Sequence, residues 1–164
     1  MKCPDCGHEN LAGEEACEAC DAPLADLGPQ PKSRDQKKIL EGKISELKPR
    51  KAITLGPKDS VKDAVLRMRK EQMGCALITE GSRVTGIFSE RDLMLKVAGS
   101  KDPARIRLDE AMRPVSSQSL REDDPVAFAF HRMALDSRRH VPIRLRDGSL
   151  GIISSRDLLR YLCQ

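Results

Sequence analysis

The octapeptide GIFSERDL, from Gly86 to Leu93, returns as GIISSRDL from Gly151 to Leu158, 65 residues later. Sliding the chain by that interval aligns Pro49–Val97 with Pro114–Leu162 without a gap, and 14 of the 49 pairs are identical. Chance matching of ordinary compositions gives about three. Beyond the octapeptide the identities include Leu55/Leu120, Asp59/Asp124, Val61/Val126, Ala64/Ala129, Arg67/Arg132 and Met68/Met133. The chain therefore folds largely as two copies of one supersecondary unit, and each element must be read in both copies together.

Within the first copy, a strand around Ala52–Leu55 leads to a helix at about Ser60–Met73, with Val61, Ala64, Val65 and Met68 on one face. Strands near Cys75–Thr79 and Arg83–Phe88 turn at Glu80–Gly81–Ser82, and a helix follows from Glu90 to about Ala98. The second copy predicts a strand near Ser117–Leu120, a helix near Pro125–Ser137, strands near His140–Leu145 and Leu150–Ile153, and a helix from Ser155 to about Leu162. Ile44–Leu47 and Leu108–Met112 read as helical turns ahead of the matching prolines. Each octapeptide ends an apolar run at a Gly, turns through a Ser and places an Asp three residues on. That pattern delivers a hydroxyl and a carboxylate to a helix N-terminus, where open N–H groups suit an anion. Ser-x-x-Asp there is equally the pattern of a capping box, so both readings stand on these residues.

At 164 residues with 39% apolar and only 2% aromatic residues, the core must be built from Leu, Ile, Val, Ala and Met. No apolar run approaches a membrane span and no signal-peptide pattern opens the sequence, so a cytoplasmic protein is expected. In that compartment clustered cysteines point to metal before disulfides. Cys3, Cys6, Cys17 and Cys20 form C-x2-C-x10-C-x2-C, in which two tight turns can each aim two thiolates at one tetrahedral zinc ion. Four thiolates leave no open position, so the expected Zn2+ is structural, and His8 is read as a surface residue. Cys75, in an apolar setting, reads as a small buried hydrophobe.

The net charge of +4 conceals an uneven distribution. Met1–Pro31 carries one Lys against seven carboxylates, a balance of −6, while Lys32–Lys51 carries eight basic and three acidic residues, a balance of +5. The acidity of the first segment, with the formal −2 of a four-thiolate zinc centre, disfavours phosphates and favours a protein partner over nucleic acid. The near absence of aromatics removes the stacking platforms of single-strand binders. Pro23–Lys38 reads as an extended linker.

The first 24 residues, MKCPDCGHEN…CEACDAPL, resemble the small zinc ribbons found at the start of many microbial proteins. The duplicated unit ending in G-h-h-S-x-x-D resembles a pair of CBS domains, the Bateman module. The expected fold class is α/β (α+β): tandem β-α-β-β-α repeats packed as a pseudo-twofold module, preceded by a zinc ribbon. The expected segments are 1–24 for the ribbon, 25–40 for the linker, 41–98 for the first repeat and 104–164 for the second.

That resemblance implies binding of adenine nucleotides (AMP, ADP or ATP), with S-adenosylmethionine and NAD as further adenosine-bearing candidates, and assembly as a homodimer. Carried over residue by residue, it implies that Asp92 and Asp157 accept hydrogen bonds from ribose hydroxyls. Ser89 and Ser154 would meet phosphate, and Arg91 and Arg156 would pair with phosphate charge. Thr54 and Ser119 lie on the strand that closes the site, while Cys75–Leu77 and His140–Pro142 line the base and phosphate region. Arg138, Arg139 and His140 precede Val141–Pro142–Ile143, resembling the basic-then-proline strand that family members set against phosphates; the first copy has Met73, Gly74 and Cys75 instead. Phosphate is therefore expected mainly at the second copy. No nucleophile–base pair or open metal position stands out, so the reading is a non-enzymatic nucleotide-sensing regulator whose ribbon docks a protein. The alternatives are an interaction scaffold whose sites have become helix caps, and a nucleic-acid-associated regulator.

Overall fold

The computed structural model describes residues 1–11, 14–24, 34–97, 99, 102–115 and 119–163, with Arg34 as backbone only. The chain forms two compact units, the first of Met1–Arg50 and Ser117–Gln164, the second of Lys51–Ser116. Each unit holds a four-stranded sheet of mixed direction.

In the second unit the sheet order is β2-β3-β4-β5, with β2 Thr54–Leu55, β3 Cys75–Glu80, β4 Arg83–Ser89 and β5 Arg113–Pro114. β2 runs parallel to β3, the β3–β4 hairpin turns at Gly81 with φ 60°, and β5 runs antiparallel to β4. Helix α2, Val61–Lys70, starts at Ser60, whose hydroxyl accepts from the Asp63 N–H at 3.1 Å. It buries Val61, Ala64 and Met68, the face expected from the sequence, against Ile53, Leu55, Ala76, Ile78 and Phe88. α3, Glu90–Asp92, continues as a π-helical segment over Leu93–Val97, and α4, Leu108–Ala111, closes the core with Leu108 and Ala111.

The first unit repeats this plan around the second copy. Its sheet order is β1-β8-β7-β6, with β1 Arg50–Lys51, β6 Leu120–Arg121, β7 His140–Arg144 and β8 Leu150–Ser154. Helices α5, Val126–Leu135, and α6, Ser155–Leu162, pack with the 3-10 turn Ile44–Leu47 over Leu120, Val141, Ile143 and Ile153. The strand expected from Ser117 is present only as Leu120–Arg121, residues 116–118 lying outside those described. Asp59 and Asp124 keep one duplicated job. Each accepts a backbone N–H three residues back, from Gly56 at 2.8 Å and from Arg121 at 2.7 Å, and so shapes the turn before its helix.

The octapeptide glycines answer to close packing. A Cβ at Gly86 would collide with the Met112 side chain and lie 3.1 Å from the Arg113 carbonyl; one at Gly151 would lie 2.6 Å from Leu145.

The linker needs correction. Over the described part of the expected 25–40 segment, residues from Arg34 are helical: α1 spans Arg34–Glu41. Its charged composition hides the reason, which is tertiary. Ile39 and Leu40 are half-buried as α1 packs against α5, and the Lys38 ammonium donates to the carbonyls of Tyr161 (3.3 Å) and Leu162 (3.5 Å) at the C-terminus of α6. Residues 25–33 lie outside those described.

Candidate ligand and metal sites

The four cysteines converge. Their sulfurs all lie within 4.8 Å of one another, with Cys3–Cys20 and Cys6–Cys17 Sγ distances of 3.6 Å. Bonds of 2.3 Å in a tetrahedron require sulfurs about 3.8 Å apart, so the cluster has the dimensions of a zinc centre. Two matching knuckles build it. The N–H of Gly7 donates to the Cys3 carbonyl at 3.0 Å and that of Asp21 to the Cys17 carbonyl at 2.9 Å. Both Gly7 (φ 77°) and Asp21 (φ 55°) take the left-handed turn that each knuckle needs.

Charge crowding points the same way. Burial pushes the Cys3 thiol up. At Cys17 burial is outweighed by the Ala19 N–H and the Asn10 amide, which bring the thiol down to about 6. At Cys20 the Ala22 N–H is outweighed by burial and the neighbouring sulfurs, which push the thiol up to about 12. Four sulfurs this close cannot all ionise without a cation among them. His8 is exposed and 4.0 Å from Glu18, outside the cluster.

The ribbon is anchored by a residue that sequence reasoning passed over. Arg132 on α5 is only 5% exposed; its Nε and Nη2 donate to the Pro4 carbonyl at 2.8 and 2.5 Å, and Nη2 also donates to the Asp5 carbonyl at 3.0 Å. Asp5 adds a carboxylate oxygen 3.9 Å from Nε, and Lys2 pairs with Asp124 at 3.9 Å. The duplicated partner Arg67 is exposed and donates to the Thr54 carbonyl at 3.0 Å. The 65-residue register picked out this Arg pair, but gave no sign that one copy holds a knuckle.

In the second repeat the expected nucleotide residues converge at one end of the β7–β8 hairpin. His140 pairs in register with Ser154, and the Ser155 N–H donates to the Arg139 carbonyl at 2.9 Å. Asp157 Oδ2 accepts from the Ser154 N–H and hydroxyl, both at 2.7 Å. The side chains of Arg139 and Arg156 are exposed and have no ion-pair partner among the described residues, whereas Arg138 lies 3.3 Å from Asp136. Val141 faces the helical core with Ile143, while the alternation of the strand sets Pro142 on the His140 side.

The first repeat has the same frame with different contents. Ser89 pairs with Cys75, and Asp92 Oδ2 accepts from the Ser89 N–H at 3.0 Å and its hydroxyl at 2.5 Å. Asp92 is 2% exposed and Ser89 3%. Arg113 of β5 brings its buried Nε to 2.9 Å from Asp92 Oδ1, out of line for a hydrogen bond, so the attraction is coulombic. Arg91 and Thr54 are exposed, and Ser119 is half-buried. Both Ser-x-x-Asp motifs therefore form capping boxes. Arg113 was missed because it lies outside the octapeptide and the 65-residue register sets Lys48, not another Arg, opposite it.

Cys75 is 1% exposed, and burial, with Glu90 and Asp92 nearby, pushes its thiol up to about 12. The reactive thiolate is then scarce at any pH below that value. Iodoacetamide at pH 8 is expected to alkylate exposed Cys163 at least about a hundredfold faster than Cys75, read by peptide mass spectrometry. Equal rates would show that β3 opens readily.

Comparison with known proteins decides the family. Residues 44–99 and 108–164 each match the profile of the CBS domain. The chain belongs to the CBS-domain family. It is 30% identical over 104 residues to the uncharacterized protein YlbB of Bacillus subtilis, covering 61% of this chain and 68% of that one. It is 25% identical over 100 residues to the CBS domain-containing protein CBSCBSPB1 of Arabidopsis thaliana, where the match spans 18% of the relative. Among solved structures, the CBS domain protein PAE2072 from Pyrobaculum aerophilum, complexed with AMP, superposes with a TM-score of 0.61 at 25% identity, over 74% of this chain and 98% of that one. Among the described residues, no helix of this CBS-pair protein is long and apolar enough to cross a membrane.

Proposed function

We propose that this CBS pair is a non-enzymatic, cytoplasmic regulator that binds an adenine nucleotide and carries a structural zinc ion in its four-cysteine ribbon. The observation that carries the nucleotide reading is the convergence at the start of α6. There Ser154, Asp157, Arg139 and His140 share one end of the β7–β8 hairpin, beside the exposed Arg156. Asp157 offers oxygen to a ribose hydroxyl, Ser154 and the first N–H groups of α6 meet phosphate, Arg139 and Arg156 supply positive charge, and His140 offers a ring N–H. Pro142 lies on the His140 side of the strand for contact with the base or phosphate. The AMP held by PAE2072 supports the same ligand class.

The ribbon's own carboxylates suit a basic protein surface rather than nucleic acid, and its docking through Arg132 ties it to the second repeat. The CBS module is assigned as a homodimer, so that a nucleotide with different affinities for two packings would shift between them.

A thermal-shift panel of AMP, ADP, ATP, S-adenosylmethionine and NAD tests the reading. A ligand at about a hundred times its Kd adds roughly 2.7 kcal/mol, a rise of roughly 5–10 °C for a chain of this length. No shift with any compound at millimolar concentration favours the interaction scaffold, in which the two capping boxes are only caps.

A further inference from the structure

We infer that Arg113 closes the first repeat to nucleotide, so that each chain takes a single adenosine-bearing ligand, at the Ser154–Asp157 loop of the second repeat. This rests on the nucleotide reading above and decides which of two duplicated motifs is used.

The two loops share a backbone plan and differ in the cation that meets the carboxylate. In the first repeat every acceptor of the motif is engaged. Asp92 Oδ2 takes both Ser89 donors, Oδ1 faces the buried Arg113 Nε at 2.9 Å, and Arg113 Nη2 reaches the Ser89 hydroxyl at 3.5 Å. One guanidinium thus covers the carboxylate that would accept a ribose hydroxyl and the hydroxyl that would meet a phosphate. It is held there by its strand: Ile87 pairs with Arg113, Gly86 with Pro114, and the Val115 N–H donates to the Thr85 carbonyl at 3.1 Å. A neutral ribose diol would have to part the buried Asp92 carboxylate from this half-buried guanidinium, a penalty that weakens binding by about tenfold or more.

In the second repeat β1 sets the Arg50 carbonyl beside Gly151 as β5 sets that of Arg113 beside Gly86, but the ion pair of Asp157 is made with Arg160 of its own helix. Asp157 keeps 20% side-chain exposure, and the cation near its Oδ1 is Arg160 at 3.6 Å, itself 72% exposed and readily displaced. The carboxylate is oriented by its cap while one oxygen remains open to a ligand. Arg139 and Arg156, which have no ion-pair partner among the described residues, stand beside this open loop, where the first repeat offers Gly74 and Arg91.

Calorimetric titration of the full chain with AMP, joined to amide chemical-shift mapping, tests the assignment. Wild-type protein is expected to bind one AMP per chain and to shift the Ser154 and Ser155 amides, leaving Ser89 and Glu90 still. Asp157→Asn should weaken binding tenfold or more, and Asp92→Asn should leave it within twofold. Arg113→Gln, which leaves Asp92 its two Ser89 donors, should move stoichiometry towards two and bring the Ser89 and Glu90 amides into motion. Two equivalent sites in the wild type, shifts confined to Ser89 and Glu90, or an Arg113→Gln protein whose first loop stays silent would each overturn the inference while leaving nucleotide binding intact. Wild-type protein that takes up none of AMP, ADP, ATP, S-adenosylmethionine and NAD at millimolar concentration overturns this inference and the nucleotide reading together. The amide mapping needs no substitution, so the assignment is decided even where Asp92→Asn fails to fold.

Discussion

Removing zinc with a strong chelator is expected to unfold Met1–Leu24 while both CBS repeats stay folded. The apolar core of the ribbon is small: Cys3, Cys17, Ala22 and Leu24, with Met1 against them, and two of these are ligands. Area burial on this scale cannot offset the ordering of some twenty residues, at about 1–2 kcal/mol each for backbone alone. Zinc binding to four thiolates contributes on the order of 10 kcal/mol or more, so the metal decides whether the segment is folded. Hydrogen exchange should then show the amides of Cys3, Gly7, Cys17 and Asp21 losing protection by several orders of magnitude with chelator and regaining it with added Zn2+. Unchanged protection in metal-free protein would end the zinc assignment.

Arg132→Ala should lower the melting temperature by roughly 10 °C, whereas Arg67→Ala should change it by no more than about 2 °C. The two residues are copies of one another, which makes the contrast informative. Arg132 is buried, burial lowers its pKa, and Asp5 and Asp136 favour its charge. Its loss leaves the Pro4 and Asp5 carbonyls without their donor and opens a void under the ribbon, at a cost of about 3–5 kcal/mol. Arg67 is exposed and makes one hydrogen bond, to the Thr54 carbonyl, a surface contact worth under about 1 kcal/mol. Arg132→Lys keeps the charge but loses the two-pronged contact, and should fall between wild type and the alanine variant. Differential scanning calorimetry with zinc held constant measures all three; equal shifts for the two alanine variants would show that Arg132 does not anchor the ribbon.

Much of the fold was legible because the duplication let each element be read twice. The apolar face of α2, the hairpin turn at Gly81, the start of α6 at Ser155 and the clustering of four cysteines all follow from local spacing. What was not legible depends on partners far away in sequence. Arg132 meets the ribbon across 128 residues, so its burial has no local signature. α1 reads as linker because its helix is supported by α5 and by the carbonyls at the end of α6. The Ser-x-x-Asp motif predicted equally a cap and a ligand loop. The structure makes both copies caps, and Arg113, outside the motif, sets the two carboxylates apart.

The first strand of each repeat hydrogen-bonds within the sheet of the other: β1, at the start of the first copy, joins β8, and β5, at the start of the second, joins β4. Cutting the polypeptide near residue 100 would therefore yield no self-sufficient half, since each piece would carry an edge belonging to its sibling. A single repeat made alone would have to take that edge from a second molecule of itself.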